Sequence, residues 1–457
     1  MSESTPEQTP AEESTPIETP LKTQGPAEVP VQIRKGMRPR TAKRLVIMAA
    51  ILGALIYGFN WFVGQKGDIF FPSDTSKMIG ALKLEDSGSH AVVVDPAGKV
   101  TSSTGYVGGK SDRDLAWDPL GNRLFFISDR KEDSFHIFRW DPQRNGDPDQ
   151  KSIDRASRGD LVFDAQDNGK EELVGLVIVR GTVQEFTPRT AKSQQVMPPS
   201  KQILAAGDPD AGSGGGAGST FDVLYKRFGT SFKSARWFSN RRYIAAVMRR
   251  EDKGESLIVQ DSHPDEKGNL RPPQLMFIAE RITITVNPKS GELVFCLTEV
   301  LPATGPDGQP VLGPDGKPQQ FNFSHALFQT TEKEGALGLE FIGPSPSKNI
   351  CISNPVVSPD GSSVMFLAGK YLGDGNSEVQ SLMSCPLEPG GIQKISPIVT
   401  GTVTDPAFSP NGSKIAYIKQ EGGHQAIFIS ESNGSGAKNL TGSAGDFAAP
   451  VFSPQYK

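Results

Sequence analysis

Residues 408–418 read FSPNGSKIAYI, and the same wording returns as VSPDGSSVMFL at 357–367 and WDPLGNRLFFI at 117–127. Each copy passes from an apolar residue through Ser or Asp to Pro, then through a turn residue to Gly, then into an unbroken apolar run. Proline cannot donate to a sheet ladder and pre-sets φ for a turn, so a strand ends there. Asp-Gly or Asn-Gly supplies the left-handed backbone of a tight hairpin. The strand that follows is apolar enough to be buried on both faces.

Looser copies fill the intervals. VNPKSGELVFCL starts at Val286 with one extra residue before Gly291, and WFSNRRYIAAV starts at Trp237 with neither Pro nor Gly in its turn. The faintest runs from Phe163 through Asn168-Gly169 to LVGLVIV, and the chain ends on a seventh start, AAPVFSPQYK. Third strands are read at SFHIFRWD from Ser134, SLIVQD from Ser256, HALFQT from His325 and QAIFIS from Gln425, with a polar fourth strand ending near Leu440-Thr441. From Pro119 through Asp164, Ser239, Pro288, Pro359 and Pro410 to Pro454 the steps are about 45, 75, 49, 71, 51 and 44 residues. The base period is that of a four-stranded propeller blade, ~40–50 residues. The long steps hold the loop-like insertions GDPDAGSGGGAGS (207–219) and GPDGQPVLGPDGKP (305–318).

The two ends complete one another. MIGALKL and HAVVVDPAGKVTSST (90–104) read as strands two to four of a blade, and APVFSP near the C-terminus reads as its missing first strand. Joining them closes the ring and removes exposed strand edges. The fold class expected is all-β, a β-propeller of six to seven four-stranded blades. Seven are counted, and six if the segment from Phe163 is only an excursion.

The first 76 residues have another character. Residues 1–33 are rich in Pro, Glu, Ser and Thr and bury too little apolar area to offset ordering entropy. Arg34, Lys35, Arg38, Arg40, Lys43 and Arg44 then precede LVIMAAILGALIYGFNWFV (45–63), which carries no charge. Nineteen residues at 1.5 Å rise roughly span a hydrocarbon core of ~30 Å. Tyr57 and Trp61 near the far end suit an interface, and the basic cluster places the tail inside. The organisation expected is a disordered cytoplasmic tail at 1–44, a transmembrane signal anchor at 45–63, a linker at 64–76 and the propeller at 77–457. A cleaved signal peptide is the rival, with an unusually long n-region and no small-x-small site after Val63.

The segment 354–454, with DPAFSPNGSKIAYIKQ, AIFISESNGSGAKNLT and the terminal VFSP, resembles the TolB-like propeller repeat family, here in a membrane-anchored form. The resemblance implies a propeller fold, a cell-envelope setting and a role in holding protein partners. It extends weakly over 77–457 and not at all to 1–76.

The motifs that could carry chemistry read as architecture. No Gly-x-Ser-x-Gly elbow occurs, and no hydrolase domain is expected after Lys457. His90, His136, His263, His325 and His424 are scattered, with no metal-ligand spacing, and read as packed or edge residues. TGYVGGKS (104–111) ends like a phosphate loop, but its first glycine is Thr104 and a strand, not a helix, follows. DPQRNGDPD (141–149) and DAQDNGKEE (164–172) imitate a calcium loop in part and lack its acidic twelfth position, so they read as solvated turns. Cys296, Cys351 and Cys385 have no C-x-x-C spacing. Either Cys351 and Cys385 oxidise together outside the cytoplasm, or all three are buried thiols acting as small apolar groups.

With 48 basic and 52 acidic residues there is no excess charge for nucleic acid. No catalytic, cofactor or metal residue is assigned and no cofactor is expected. The leading expectation is a non-enzymatic scaffold on the periplasmic face of the inner membrane, docking an envelope protein, a peptide or a glycan. The alternatives are a sensor coupling the propeller to the tail, and a propeller lyase or hydrolase with carboxylates at the channel mouth.

Overall fold

A computed structural model describes residues 77–456 apart from internal stretches, the longest being 151–161, 165–173, 199–224 and 302–322. All lie within the compact unit Asp68–Lys457. Among them no helix is long and apolar enough to cross a membrane. The expected tail and span, 1–44 and 45–63, fall outside the described residues, as do both long insertions.

The chain is all-β. The first blade holds β1 (Ile79–Glu85), β2 (Gly88–Val94) and β3 (Val100–Ser103). The second is β4 (Asp112–Trp117), β5 (Leu124–Ser128), β6 (His136–Trp140) and β7 (Asp149–Gln150). The third is β8 (Val162–Asp164), β9 (Val174–Val179), β10 (Thr182–Thr187) and β11 (Lys192–Met197). Next come β12 (Ser231–Phe238), β13 (Tyr243–Arg249), β14 (Glu255–Asp261), β15 (Gln274–Val286), β16 (Leu293–Leu301), β17 (Ala326–Lys333) and β18 (Ala336–Pro344), joined in one seven-stranded sheet. The sixth blade is β19 (Ile350–Val357), β20 (Ser363–Gly373), β21 (Asn376–Pro386) and β22 (Ser396–Thr400), and the seventh is β23 (Val403–Phe408), β24 (Lys414–Glu421), β25 (His424–Glu431) and β26 (Lys438–Asn439). Last, β27 (Asp446–Phe452) pairs antiparallel with β1 and completes the first blade, as the sequence predicts.

The seven-stranded sheet is two blades sharing a strand. The 13-residue β15 pairs with β14 through Glu255↔Ala279 and with β16 through Val286↔Leu293, serving as fourth strand of one blade and first of the next. Seven four-stranded units result, the segment from Phe163 among them.

Packing follows from strand periodicity. Successive side chains of a second strand point to opposite faces, and both faces are covered by a neighbouring blade. Thus Leu124 and Phe126 join Val93 and Leu82 between the first and second blades, whereas Phe125 and Ile127 join Val177 and Phe186 between the second and third. Similar clusters fill each joint onward. The last packs Ala416, Ile418 and Ile427 of the seventh blade on Ile79, Ala81 and Val92 of the first, so the cyclic order closes. Each such side chain contributes about 1.5–3 kcal/mol by leaving water.

The repeated turn has a chemical cause. Ser358 and Ser409 each accept the N–H of the residue five positions on, at 3.0 and 2.9 Å, through the side-chain oxygen. Asp118 does the same work for Asn122 and Arg123. The φ of +71° at Gly361 and +70° at Gly412 is open to glycine without strain.

Of the two readings of the cysteines, the Cys351–Cys385 pair is not formed and the buried thiols are: all three are free and buried. Cys351 lies opposite Gly369 and Cys385 opposite Val364 on the intervening β20, five residues apart. At strand rise that is about 16 Å, whereas a disulfide needs Cα atoms roughly 4.4–6.8 Å apart. Burial pushes the Cys385 thiol up to about 12.

Candidate binding site in the channel wall

The motifs weighed for chemistry fall into architecture. His325 is buried, accepts the Glu299 N–H at Nδ1 (3.0 Å) and meets the Lys348 carbonyl at Nε2 (3.0 Å). Burial lowers its pKa, and that of His90. His136 is buried in β6 beside Ser134 (3.0 Å), while His263 is exposed and His424 half-buried. The stretch 104–111 is a loop running straight into β4. In the stretch 141–149, Asp141 caps the N–H of Gln143 (3.0 Å) and Asp149 binds Arg139 (2.8 Å). Residues 165–172 lie outside the described residues.

A buried ion pair within the second blade, Asp112 to Arg130 at 2.5 Å, faces the first blade, where Arg130 also donates to the Thr104 carbonyl at 3.0 Å. Asp112 also accepts from the Ala91 N–H (2.9 Å) and Thr104 Oγ1 (2.8 Å), which explains the closing Thr of the repeat. In the seventh blade Thr441 Oγ1 accepts the Ile427 N–H at 3.0 Å, as Thr104 Oγ1 accepts the Ala91 N–H at 3.1 Å in the first.

The first strand of each blade lines the propeller axis. Its alternation places apolar residues between blades and half-buried ones toward the channel, as Ile282 and Ile284 alternate with Arg281, Thr283 and Thr285. Bulges recur at one level of these strands. Asp114, Asn354, Asp405 and Ala449 have φ of 54°, 51°, 50° and 48°, each beside a register shift. Asn and Asp tolerate this left-handed backbone better than other side chains, and a bulge re-aims its residue. The sequence signal is a dipeptide at fixed offset before the turn motif: Asn354-Pro355, Asp405-Pro406, Ala449-Pro450. Adjacent first strands are laced at this level, Asn354 N–H donating to Thr283 Oγ1 (2.9 Å) and Ala449 N–H to Asp405 Oδ2 (3.1 Å).

A cavity of about 430 Å³ opens here among β12, β15, β19 and β23. Three cations line it, Lys233, Arg236 and Arg281, against one carboxylate, Asp405. A register shift between Phe232 and Ser234 sets Lys233 apart from the ladder. Its Nζ binds Glu255 at 2.7 and 2.9 Å, and Glu255 also accepts the Ile282 N–H at 2.7 Å. Burial lowers the Lys233 pKa, Glu255 opposes this, and Arg281 and Arg249 add to it.

The guanidinium of Arg281 has no hydrogen-bond or ion-pair partner among the described residues. The neighbouring Glu280 is committed elsewhere, accepting from Tyr371 Oη and from the Gly375 N–H (2.6 Å) at the tip of the β20–β21 hairpin. Glu255 and Asp405 are likewise engaged. With Arg236, Arg281, Thr283 and Thr285 in its lining, the arrangement suits holding an oxyanion on guanidinium and hydroxyl donors. None of these residues was assigned from the sequence. The Arg-x-Thr-x-Thr alternation of β15 was visible, but which face meets the channel depends on the ring.

A second cavity of about 320 Å³ lies at the turns of the sixth and seventh blades. Its Asp360 is saturated by Ser358 Oγ (2.6 Å) and by Ser362, which hold it well below the usual carboxylate range, at about 2.

No family model matches the chain, and no curated protein matches it. Solved structures similar to it include TolB from Acinetobacter baumannii, at 12% identity over 85% of this chain and 69% of that chain, TM-score 0.43. Another is an oligogalacturonate lyase from Vibrio parahaemolyticus, at 9% identity over 79% and 84%, TM-score 0.42. A third is the β-propeller domain of the Trilobed protease from Pyrococcus furiosus, at 11% identity over 72% and 82%, TM-score 0.38.

Proposed function

We propose that this chain is a membrane-anchored, seven-bladed propeller that works as an interaction scaffold in the cell envelope, receiving part of its partner in the channel-wall cavity. The carrying observation is the charge imbalance of that cavity, three cations against one carboxylate on four consecutive first strands. The basic cluster and the uncharged run at 45–63 support the anchor and an extracytoplasmic propeller. Between aligned first strands the cavity offers hydroxyls, backbone edges and prolines, a surface that accepts an extended polypeptide. Its described lining includes no aromatic ring on which a sugar face would stack, so a protein partner is favoured over a glycan.

The test is affinity capture of the tagged full chain from crosslinked membranes, beside a variant lacking residues 1–33. Enrichment of one envelope protein by both chains supports the scaffold. Loss of a cytoplasmic output on removing the tail, with the partner retained, favours the sensor. Enrichment of nothing by either removes the scaffold's support and turns attention to turnover of small substrates.

A further inference from the structure

Resting on the channel as docking site, we infer that Arg281 is the centre of a carboxylate-binding site, with the charge of Lys233 beside it and the hydroxyls of Thr283 and Thr285 as supporting donors. The cavity holds three positive side chains and one negative one, and each carboxylate near it is already engaged. Glu255 spends its oxygens on Lys233 and the Ile282 N–H, Glu280 on Tyr371 and Gly375, and Asp405 on the Ala449 N–H. That leaves a half-buried guanidinium at the cavity wall with no acceptor among the described residues. Arginine presents a planar fork that matches the two oxygens of a carboxylate, so one incoming acidic group completes the site. The occupant is an Asp, Glu or C-terminal carboxylate of a docked polypeptide, or the same group on a free small acid. At about 430 Å³ the cavity has room for one or two residues' side chains.

The experiment is calorimetric titration of the purified full chain in detergent with four probes: a capped triglutamate peptide, the isosteric triglutamine peptide, glutarate and inorganic phosphate. Triglutamate is expected to bind, triglutamine not, and binding to weaken as salt rises. Arg281→Gln should weaken triglutamate roughly ten- to a hundredfold, Arg281→Lys should lose less, and the exposed Lys438→Gln should change nothing. Circular dichroism on each variant establishes that it is folded. Binding of triglutamate without glutarate assigns the carboxylate to a polypeptide, and equal binding of both assigns it to a small acid. Phosphate as the best ligand, no acid binding by the wild type, or binding indifferent to Arg281→Gln each overturn the site. If acid binding is absent while the crosslinked partner is still captured, the carboxylate site falls and the docking role stands. If Arg281→Gln abolishes acid binding yet keeps the partner, the site stands and docking does not use it.

Discussion

The sixth and seventh blades differ from the fourth and fifth in the turn that opens the pair and in how one blade passes into the next, although the fifth keeps a turn capped by its own Asn287. In the regular pair a Ser-Pro-x-Gly turn is capped by its own serine, and each blade is a separate four-stranded sheet. In the other pair the first turn is Ser239-Asn240-Arg241, three consecutive non-glycine residues at φ 49°, 51° and 67°. Charge holds that turn from outside: Arg241 binds Glu185 (3.1 Å) and lies 5.1 Å over the Trp237 ring, and Arg242 binds Glu332 (2.6 Å). These two blades also merge at β15, and they supply all three cations of the cavity, while the regular pair supplies Asn354, Asp405 and the prolines. Local rules are relaxed where the channel wall is polar, the pattern expected where a surface is shaped for binding rather than for repetition.

The largest test compares cores. Phe295→Ala in the fifth blade and Phe366→Ala in the sixth should each cost about 3–5 kcal/mol, read from urea midpoints, since both rings are fully buried. Their hydrogen-exchange patterns should differ. Opening in Phe295→Ala should spread across β15 into β13 and β14, whereas opening in Phe366→Ala should leave β24 protected. Equal spread would mean that the shared strand does not couple its blades.

Glu255→Ala comes next, at about 2–3 kcal/mol, because it strips a carboxylate from a partly buried lysine and from the Ile282 N–H. A Lys233→Met/Glu255→Leu double variant should recover most of that loss. If it does not, the pair holds the bulge rather than merely neutralising charge.

The turns give the smaller effects. Gly412→Ala should cost about 1–2 kcal/mol, a side chain at φ +70° being strained, and its Cβ would sit 3.3 Å from Pro359. Asn240→Gly should go the other way and stabilise by about 0.5 kcal/mol or less, relieving one left-handed residue while loosening the unfolded chain. Thermal midpoints of the two variants read both signs. Destabilisation by Asn240→Gly would show that the asparagine side chain itself secures the turn.

How far the sequence reaches is visible in the same comparison. The all-β class, the blade starts and the meeting of the chain ends in one blade were legible because Pro, Gly and apolar runs act locally. The shared strand was not read, although QLMFIAERITITV contains neither Gly nor Pro to mark a boundary. The cavity was beyond reach because its residues come from positions 233, 281, 354 and 405, and only the side-by-side packing of the fourth to seventh blades brings them to one wall. Asn-Pro and Asp-Pro before the turn motif were in view, but their left-handed backbone is a property of the bulge.

The merged strand also bears on how such a gene changes length. Propellers grow or shrink by copying or deleting a cassette whose ends fall in loops, where a break harms no ladder. Between the fourth and fifth blades there is no loop to cut: Gln274–Val286 is strand throughout, bonded on both sides. A crossover there would sever two blades at once, so the pair passes through recombination as one double-length unit. New chain ends made by circular permutation belong instead at joints such as the exposed Gly401-Thr402 between β22 and β23.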